Sequence, residues 1–492
     1  MKIKANLNTS YIPCQVRLER RGLLILCFML LLGLWGQNAV LSAAPPEEQD
    51  VLYTIQESYL NCRFGVGVTS SALTTYNITS LNLGWYLNWR ALLAPDRPGE
   101  IEFAQVLRVS GSTYSPSGDD LADIIANNPG ALWLVGNEPD CIYQDNVLPQ
   151  DYAQAYHDAY FFIKAHDPTA QVAVGSIVQP TPLRIQYLEQ VLTHYLAQYQ
   201  VPLPTDAWSI HSFILREASC SAYPDACWGA EIPPGVTATA GEWYELEDTD
   251  DLDIFQERII QFRRWMRDWG YRDTPLLITE YGTLVPHTYA GWSKERAAEF
   301  MTGTFEFLLN VSDPAIGYPA DEDRLVQRWL WYSLDDTRYG GYLFNPHTGA
   351  PEMAPYFSAF TSAIAPTVDL VAVQVTQQQV PLSLGEPVTL TLLAKISNVG
   401  NIAVTQPIQV DFFDAEDTLI GTAFLATPLQ GCAEVGTVSI VWPNVLPGAH
   451  QIRIVVDPQN EISELTTTNN ESTTTVLVAT HRLYLPLITR KR

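Results

Sequence analysis

Charge, and positive charge above all, is what this chain of 492 residues has least of. Charged side chains make up 17%, with 28 Lys and Arg against 54 Asp and Glu, a formal balance of −26. Such an excess of negative charge excludes gripping a polyanion electrostatically, so nucleic acid is not expected as a partner. Long apolar runs are scarce too. Only one approaches bilayer-spanning length, which excludes a polytopic membrane protein. Cysteine is sparse, at seven, and neither a CxxC pair nor a His cluster stands at metal-ligand spacing, so no metal site is expected. GxGxxG and GxxxxGK motifs are missing as well, which removes the usual nucleotide-binding loops, and no organic cofactor is expected. What the chain does have is apolar and aromatic mass: 47% hydrophobic residues and 11% aromatic, too much for a disordered chain.

The one long apolar run follows Lys2, Lys4, Arg17, Arg20 and Arg21, spans 23–35, and leads to Ser42, Ala43 and Ala44. Basic, apolar and small-residue regions in that order predict a secretory signal peptide over 1–44, with an uncleaved signal anchor as the alternative. Either places the remainder outside the cytoplasm, secreted or associated with the cell surface. Residues 1–44 carry five positive charges and one negative, so the rest of the chain stands at −30. Cys220 and Cys227 bracket a short loop and are expected to form a disulfide. Cys62 and Cys141 form a second conceivable pair, leaving Cys432 odd.

Residues 45–366 alternate short apolar runs with helical periodicity. Strands are predicted at 63–68, 83–89, 103–109, 132–137, 172–176, 207–211, 276–280 and 327–333, and helices at 151–165, 183–198, 253–269 and 293–309. Eight such units predict an α/β domain, a closed (β/α)8 (TIM) barrel, with a doubly wound open sheet as the fallback. From 367 to 480 the pattern turns to Val/Thr/Leu alternation with Pro and Gly turns, predicting an all-β immunoglobulin-like sandwich. Residues 481–492 read as a short basic tail. Eleven of the 13 Trp fall in 45–366.

Function on such a barrel sits at the C-terminal strand ends. The fourth strand leads into Asn137-Glu138-Pro139, and the seventh ends in Thr279-Glu280-Tyr281-Gly282. Two carboxyl groups meeting across one rim suit glycoside hydrolysis, one as proton donor and the other ionised. Either glutamate alone reads as a solvated loop residue; the pair does not. The order and motifs resemble the retaining (β/α)8 glycoside hydrolases of clan A. That resemblance implies Glu138 as acid/base, Glu280 as nucleophile, and Asn137 as a ligand of the sugar 2-hydroxyl. More narrowly, Gly84-Trp85-Tyr86-Leu87-Asn88-Trp89, Gly136-Asn137-Glu138-Pro139-Asp140, Ala207-Trp208-Ser209-Ile210-His211-Ser212-Phe213 and Ile278-Thr279-Glu280-Tyr281-Gly282 resemble the glycosyl hydrolase catalytic core of alkali-sensitive linkage proteins, a β-1,3-glucanase family. The stretch 220–249 is an insertion relative to that pattern, and Phe213 stands where a Tyr is frequent. Residues 367–480 resemble the adhesion-related CARDB domain, through Val368-Asp369-Leu370-Val371, Asn398-Val399-Gly400-Asn401 and the run from Val456 to Glu464.

Trp85, Trp89, Trp331 and Tyr281 lie at strand ends and are expected to stack on sugar rings, with Trp331 favoured for the cleft over packing. Trp133, Trp329, Trp265 and Trp269 are expected to pack. His211 is expected to orient Glu280 or touch substrate, or to be a satisfied structural histidine. Asp140 and Tyr143 are expected at the same rim, and Asp335 and Asp336 as loop caps. The overall expectation is a secreted, monomeric, retaining hydrolase of β-linked polysaccharide, with surface attachment through the C-terminal domain. A non-catalytic carbohydrate-binding protein and a wall-remodelling transglycosylase are the competing readings.

Overall fold

The computed structural model describes residues 59–69, 72–383 and 385–479; the leader and the basic tail lie outside them. Eight apolar segments form parallel strands: β1 (Asn61–Gly67), β2 (Leu83–Leu87), β3 (Gln105–Ser110), β4 (Leu132–Asn137), β5 (Gln171–Ser176), β6 (Trp208–His211), β7 (Leu276–Tyr281) and β8 (Arg328–Trp331). One sheet runs Glu102–Phe103, β2, β1, β8, β7, β6, and a second runs Thr113–Ser115, β3, β4, β5. Parallel bridges Ala173–Ala207 and Ile177–Ile210 connect β5 with β6. At the other junction, Ala104 N donates to Tyr86 O and Val106 N to Arg90 O. Helices α1 (Gly118–Asn127), α2 (Pro149–His166), α3 (Pro182–Tyr199), α4 (Leu252–Asp268), α5 (Lys294–Asn310) and α6 (Ala354–Thr361) accompany the strands. Proline opens α2 and α3, where its missing N–H costs nothing. Asp251 and Ser293 cap α4 and α5.

Strand alternation sorts the core into two layers. Phe64, Tyr86, Trp133, Trp208, Trp329 and Trp331 belong to the layer packed with the helices. Trp85, Leu87, Trp89, Leu277, Leu330 and Tyr332 form a separate cluster on the other strand faces.

The C-terminal region is all-β, with strands β9 (Leu370–Gln377), β10 (Val388–Asn398), β11 (Ile408–Phe413), β12 (Leu419–Leu425), β13 (Glu434–Val445), β14 (Gly448–Val456) and β15 (Glu471–Val478). Two antiparallel sheets, β9-β10-β13 and β12-β11-β14-β15, enclose one core that includes Leu392, Ile396, Val410, Phe412, Ile452 and Ile454. The apolar alternation is weakest in β12, which carries Gly421, and in β15, which opens with Glu-Ser-Thr-Thr-Thr.

This region is bonded to β1. Cys62 pairs with Cys432, correcting both the Cys62–Cys141 pairing and the unpaired reading of Cys432. Next to it, buried Arg63 forms an ion pair with buried Asp321 at 2.8 Å and donates to Val399 O at 2.9 Å. Ser397 Oγ donates to Ala320 O at 2.7 Å. All of these contacts gather where β1 and β8 begin. Cys220 and Cys227 are also disulfide-bonded. No helix among the described residues is long and apolar enough to cross a membrane.

Candidate active site

Parallel strands deliver their last residues to one rim, and the two glutamates arrive there by different local devices. At the end of β4 the chain reverses through Gly136 (φ 99°) and Glu138 (φ 45°). A side chain at Gly136 would strain the left-handed backbone and press on Tyr152. Glu138 pays roughly 1 kcal/mol for its own left-handed backbone, so the loop must hold it. Cys141 N donates to Glu138 O, Glu138 N to Ser176 O, and the buried Asp145 carboxylate accepts from Asn137 N and Val109 N.

At the end of β7 the device is a register shift. Ile278 pairs with Ile210, but Glu280, not Thr279, pairs with His211. The same slip occurs against β8. Alternation would send Glu280 to the face opposite Thr279; the extra residue lets both point inward. Thr279 Oγ1 meets Ser176 Oγ, while Glu280 turns to the rim.

His211, at the end of β6, joins the two carboxyls. Its Nδ1 lies 2.9 Å from Glu138 Oε1 and its Nε2 3.1 Å from Glu280 Oε1. All three residues are buried. Burial disfavours the imidazolium, but the charge of Glu280, and after it Glu138, outweighs burial and raises the His211 pKa above its ordinary value. Trp89 Nε1 also donates to Glu280 Oε1, from a residue itself at φ 59°. One oxygen of each glutamate and one nitrogen of the histidine lie within 4.8 Å of one another. Glu138 Oε2 is buried with no hydrogen-bond partner. Among the described residues this is the one group of His, Cys, Asp or Glu close enough to hold a metal ion. Both ring nitrogens already face carboxylate oxygens, which describes a hydrogen-bonded chain between acids rather than a ligand shell.

The other expected site residues divide. Asn137 is buried behind Glu138, with its Nδ2 3.4 Å from Gln144 Oε1. Trp89 reaches the pair, but Trp85 does not. It lies four residues earlier on the same strand face, about 13 Å down the strand, and stacks against Arg328, 4.6 Å from the ring centroid. Trp331 and Tyr281 are not cleft residues either. Trp331 Nε1 donates to Gly341 O, and its ring meets Tyr281 edge-on at 5.4 Å, with Phe300 and Phe305 nearby. The Tyr281 hydroxyl accepts from Thr304 on α5. Both occupy the helix-facing layer, because Leu330 and Tyr332 take the opposite face of β8.

Asp140 turns away from the pair. It forms an ion pair with buried Arg184 at 2.6 Å, and Arg184 also binds Glu217 at 3.0 Å. Burial raises the Asp140 pKa despite that partner. Asp335 accepts from Thr69 N and Oγ1, and Asp336 from Arg338 N and Tyr339 N, as loop caps do.

Sequence reasoning passed over Tyr332. Its ring lies 5.8 Å from Trp89 and 5.9 Å from Phe213, and its hydroxyl donates to Asp336 at 2.5 Å. Inward alternation from Leu330 was the available signal. Phe213 packs edge-on to His211 at 6.0 Å. It brings no hydroxyl to Glu280; Trp89 and His211 supply the donors instead.

A family model described as glycosyl hydrolase catalytic core matches residues 65–357, and a CARDB model matches residues 367–474. Among solved structures, an endo-β-1,3-glucanase of GH128 subgroup I from Amycolatopsis mediterranei, bound to laminaripentaose, is 15% identical. It covers 61% of this chain and 99% of its own, with a TM-score of 0.40. A curdlan-specific exo-β-1,3-glucanase of GH128 subgroup III from Blastomyces gilchristii, bound to glucose, is 15% identical over 60% of this chain and 97% of its own, at TM-score 0.39. A CARDB domain from Pyrococcus furiosus is 21% identical over 24% of this chain and 99% of its own, at TM-score 0.20. No curated protein matches the chain.

Proposed function

Because the chain belongs to the glycosyl hydrolase catalytic core family, we propose that it hydrolyses a β-linked polysaccharide, a β-glucan, by double displacement with retention. The observation that carries this reading is the pair Glu138 and Glu280, buried at two strand ends and bridged by His211, with carboxyl oxygens within 4.8 Å. Inversion needs carboxyl groups about 6.5–9.5 Å apart to seat a water between them; retention needs about 5–5.5 Å.

In the first step Glu280 attacks the anomeric carbon. Trp89 and His211 orient the attacking carboxylate and disperse its charge. Glu138 donates its proton through the unpartnered Oε2 to the leaving oxygen. In the second step Glu138 takes a proton from water, which cleaves the glycosyl ester. Asn137, the residue before Glu138, is read as the ligand of the sugar 2-hydroxyl. The two parallel sheets and the bonds joining β5 to β6 and β2 to β3 support a closed (β/α)8 barrel as the frame, and the paired antiparallel sheets support an immunoglobulin-like sandwich. The leader-like start of the sequence supports export, and the CARDB match supports a role for the sandwich in attachment. A neutral polymer suits an acidic protein better than an anionic one.

The test is release of reducing ends from β-1,3-glucan, β-1,4-glucan, mannan and xylan, with the anomer of the first product read by NMR. Cleavage of a β-glucan with retention, lost in Glu280→Gln, is expected. Activity surviving Glu280→Gln refutes the assignment, and inverted product refutes the mechanism.

A further inference from the structure

The segment between β6 and α4 is the least explained part of the catalytic unit. As a strand-to-helix connection it rises at the same end as Glu138 and Glu280. Several bonds make it rigid. Glu217 N donates to Glu242 O and Gly241 N to Glu217 O, while Ser219 N donates to Thr239 O. Cys220 and Cys227 close its tip. Glu217 and Glu242 anchor it to the helices through Arg184 on α3 and Arg258 on α4.

Within this frame sits an aromatic group that is only partly buried. The Arg216 guanidinium lies over Trp228 at 4.7 Å and over Trp243 at 4.4 Å, and it forms an ion pair with Glu245. Trp228 packs on the inner cluster that includes Trp89, Phe213 and Tyr332. The outer members of the group stay in solvent. Trp243 is 46% exposed and Tyr223 38% exposed, their rings 5.4 Å apart at 78°. Two exposed rings held at a corner form an apolar platform whose ordering cost is already met by folding. Glu245, beside it, supplies a hydrogen-bond acceptor.

We propose that this insertion is a distal sugar subsite, in which Trp243 and Tyr223 hold a pyranose unit of the same β-linked chain beyond the units flanking the cleaved bond. A pyranose offers an apolar C–H face to an aromatic ring and hydroxyls around its edge to acceptors, and this corner provides both. Rings that bind equally before and during the reaction lower KM and leave kcat alone. The insertion therefore sets a preference for long chains.

The inference rests on the hydrolase reading, and one experiment separates the two. Wild type, Trp243→Ala, Tyr223→Ala, the double variant and Trp243→Phe are assayed on the best polymer of the four-glycan panel and on the shortest derived oligosaccharide that is cleaved. The ratio of kcat/KM on polymer to kcat/KM on the short substrate is expected to fall about tenfold in each single alanine variant. In the double variant it is expected to fall further, through KM, with Trp243→Phe retaining most of it. A ratio within twofold of wild type overturns the subsite, as does equal loss on both substrates, which marks a merely structural role. A wild-type protein inactive on every glycan refutes the hydrolase reading itself.

Discussion

His211→Gln tests the site most sharply, because glutamine keeps an N–H donor of similar reach but cannot carry the titratable charge. In the native site the imidazole ring is 3.1 Å from Glu280 and 2.9 Å from Glu138. At an effective dielectric near 20, a unit charge at such a distance is worth about 5 kcal/mol. Burial of the imidazolium offsets part of that, and an opposite charge this close typically moves a carboxyl by about 1–3 pH units, or ~1.4–4 kcal/mol. The charges of Glu280 and Glu138 favour the protonated ring, and glutamine cannot take up that proton. In kcat/KM against pH, the ionisation contributed by the imidazole is therefore expected to be missing in His211→Gln, and activity at the wild-type optimum is expected to fall about tenfold for each ~1.4 kcal/mol of lost interaction. A pH profile of unchanged shape refutes the claim that the ring's charge links the two acids.

The same histidine couples folding to pH. Its folded pKa is raised, so its stabilising contribution is complete below an unfolded value of about 6.5 and is lost as pH rises through the folded value; urea midpoints taken across that window should decline in wild type and not in His211→Gln. Arg184→Leu strands Asp140 and Glu217 as buried charges and should cost about 3–5 kcal/mol in denaturant unfolding, an expectation that fails if the loss is under 1 kcal/mol. Cys432→Ser opens a covalent loop spanning a sequence separation of 370 and should lower stability by about 2–5 kcal/mol under oxidising conditions, with no difference from wild type once both are reduced. Trp331→Phe should lower the melting temperature while leaving KM within twofold of wild type, because the indole bonds Gly341 and not substrate; a KM shifted tenfold would restore it to the cleft.

The eight strand segments were legible because each is an apolar run bounded by polar or turn residues, and the two glutamates because they follow such runs directly. What escaped depends on partners the local pattern does not contain. The slip between Ile278 and Glu280 is a property of two neighbouring strands, and without it the facing of Thr279, Glu280 and Tyr281 comes out wrong. Trp331 and Tyr281 were drawn toward the cleft by their position at strand ends, although alternation with Leu330 and Tyr332 sends Trp331 outward. Trp85 faces the correct way but sits too deep. Cys62 and Cys432 stand at opposite ends of the described chain, so no spacing rule joins them. Arg216 between Trp228 and Trp243 is legible only once the insertion is folded.

The bond between Cys62 and Cys432 also gives the molecule a direction. The C-terminal unit is fastened where β1 and β8 begin, and the glutamates stand where β4 and β7 finish. Under the attachment proposed above, a surface gripped by that unit would lie at the opposite end of the strands from Glu138 and Glu280, so the chain cut would be one arriving from solution or from an opposing layer and not the polymer underfoot.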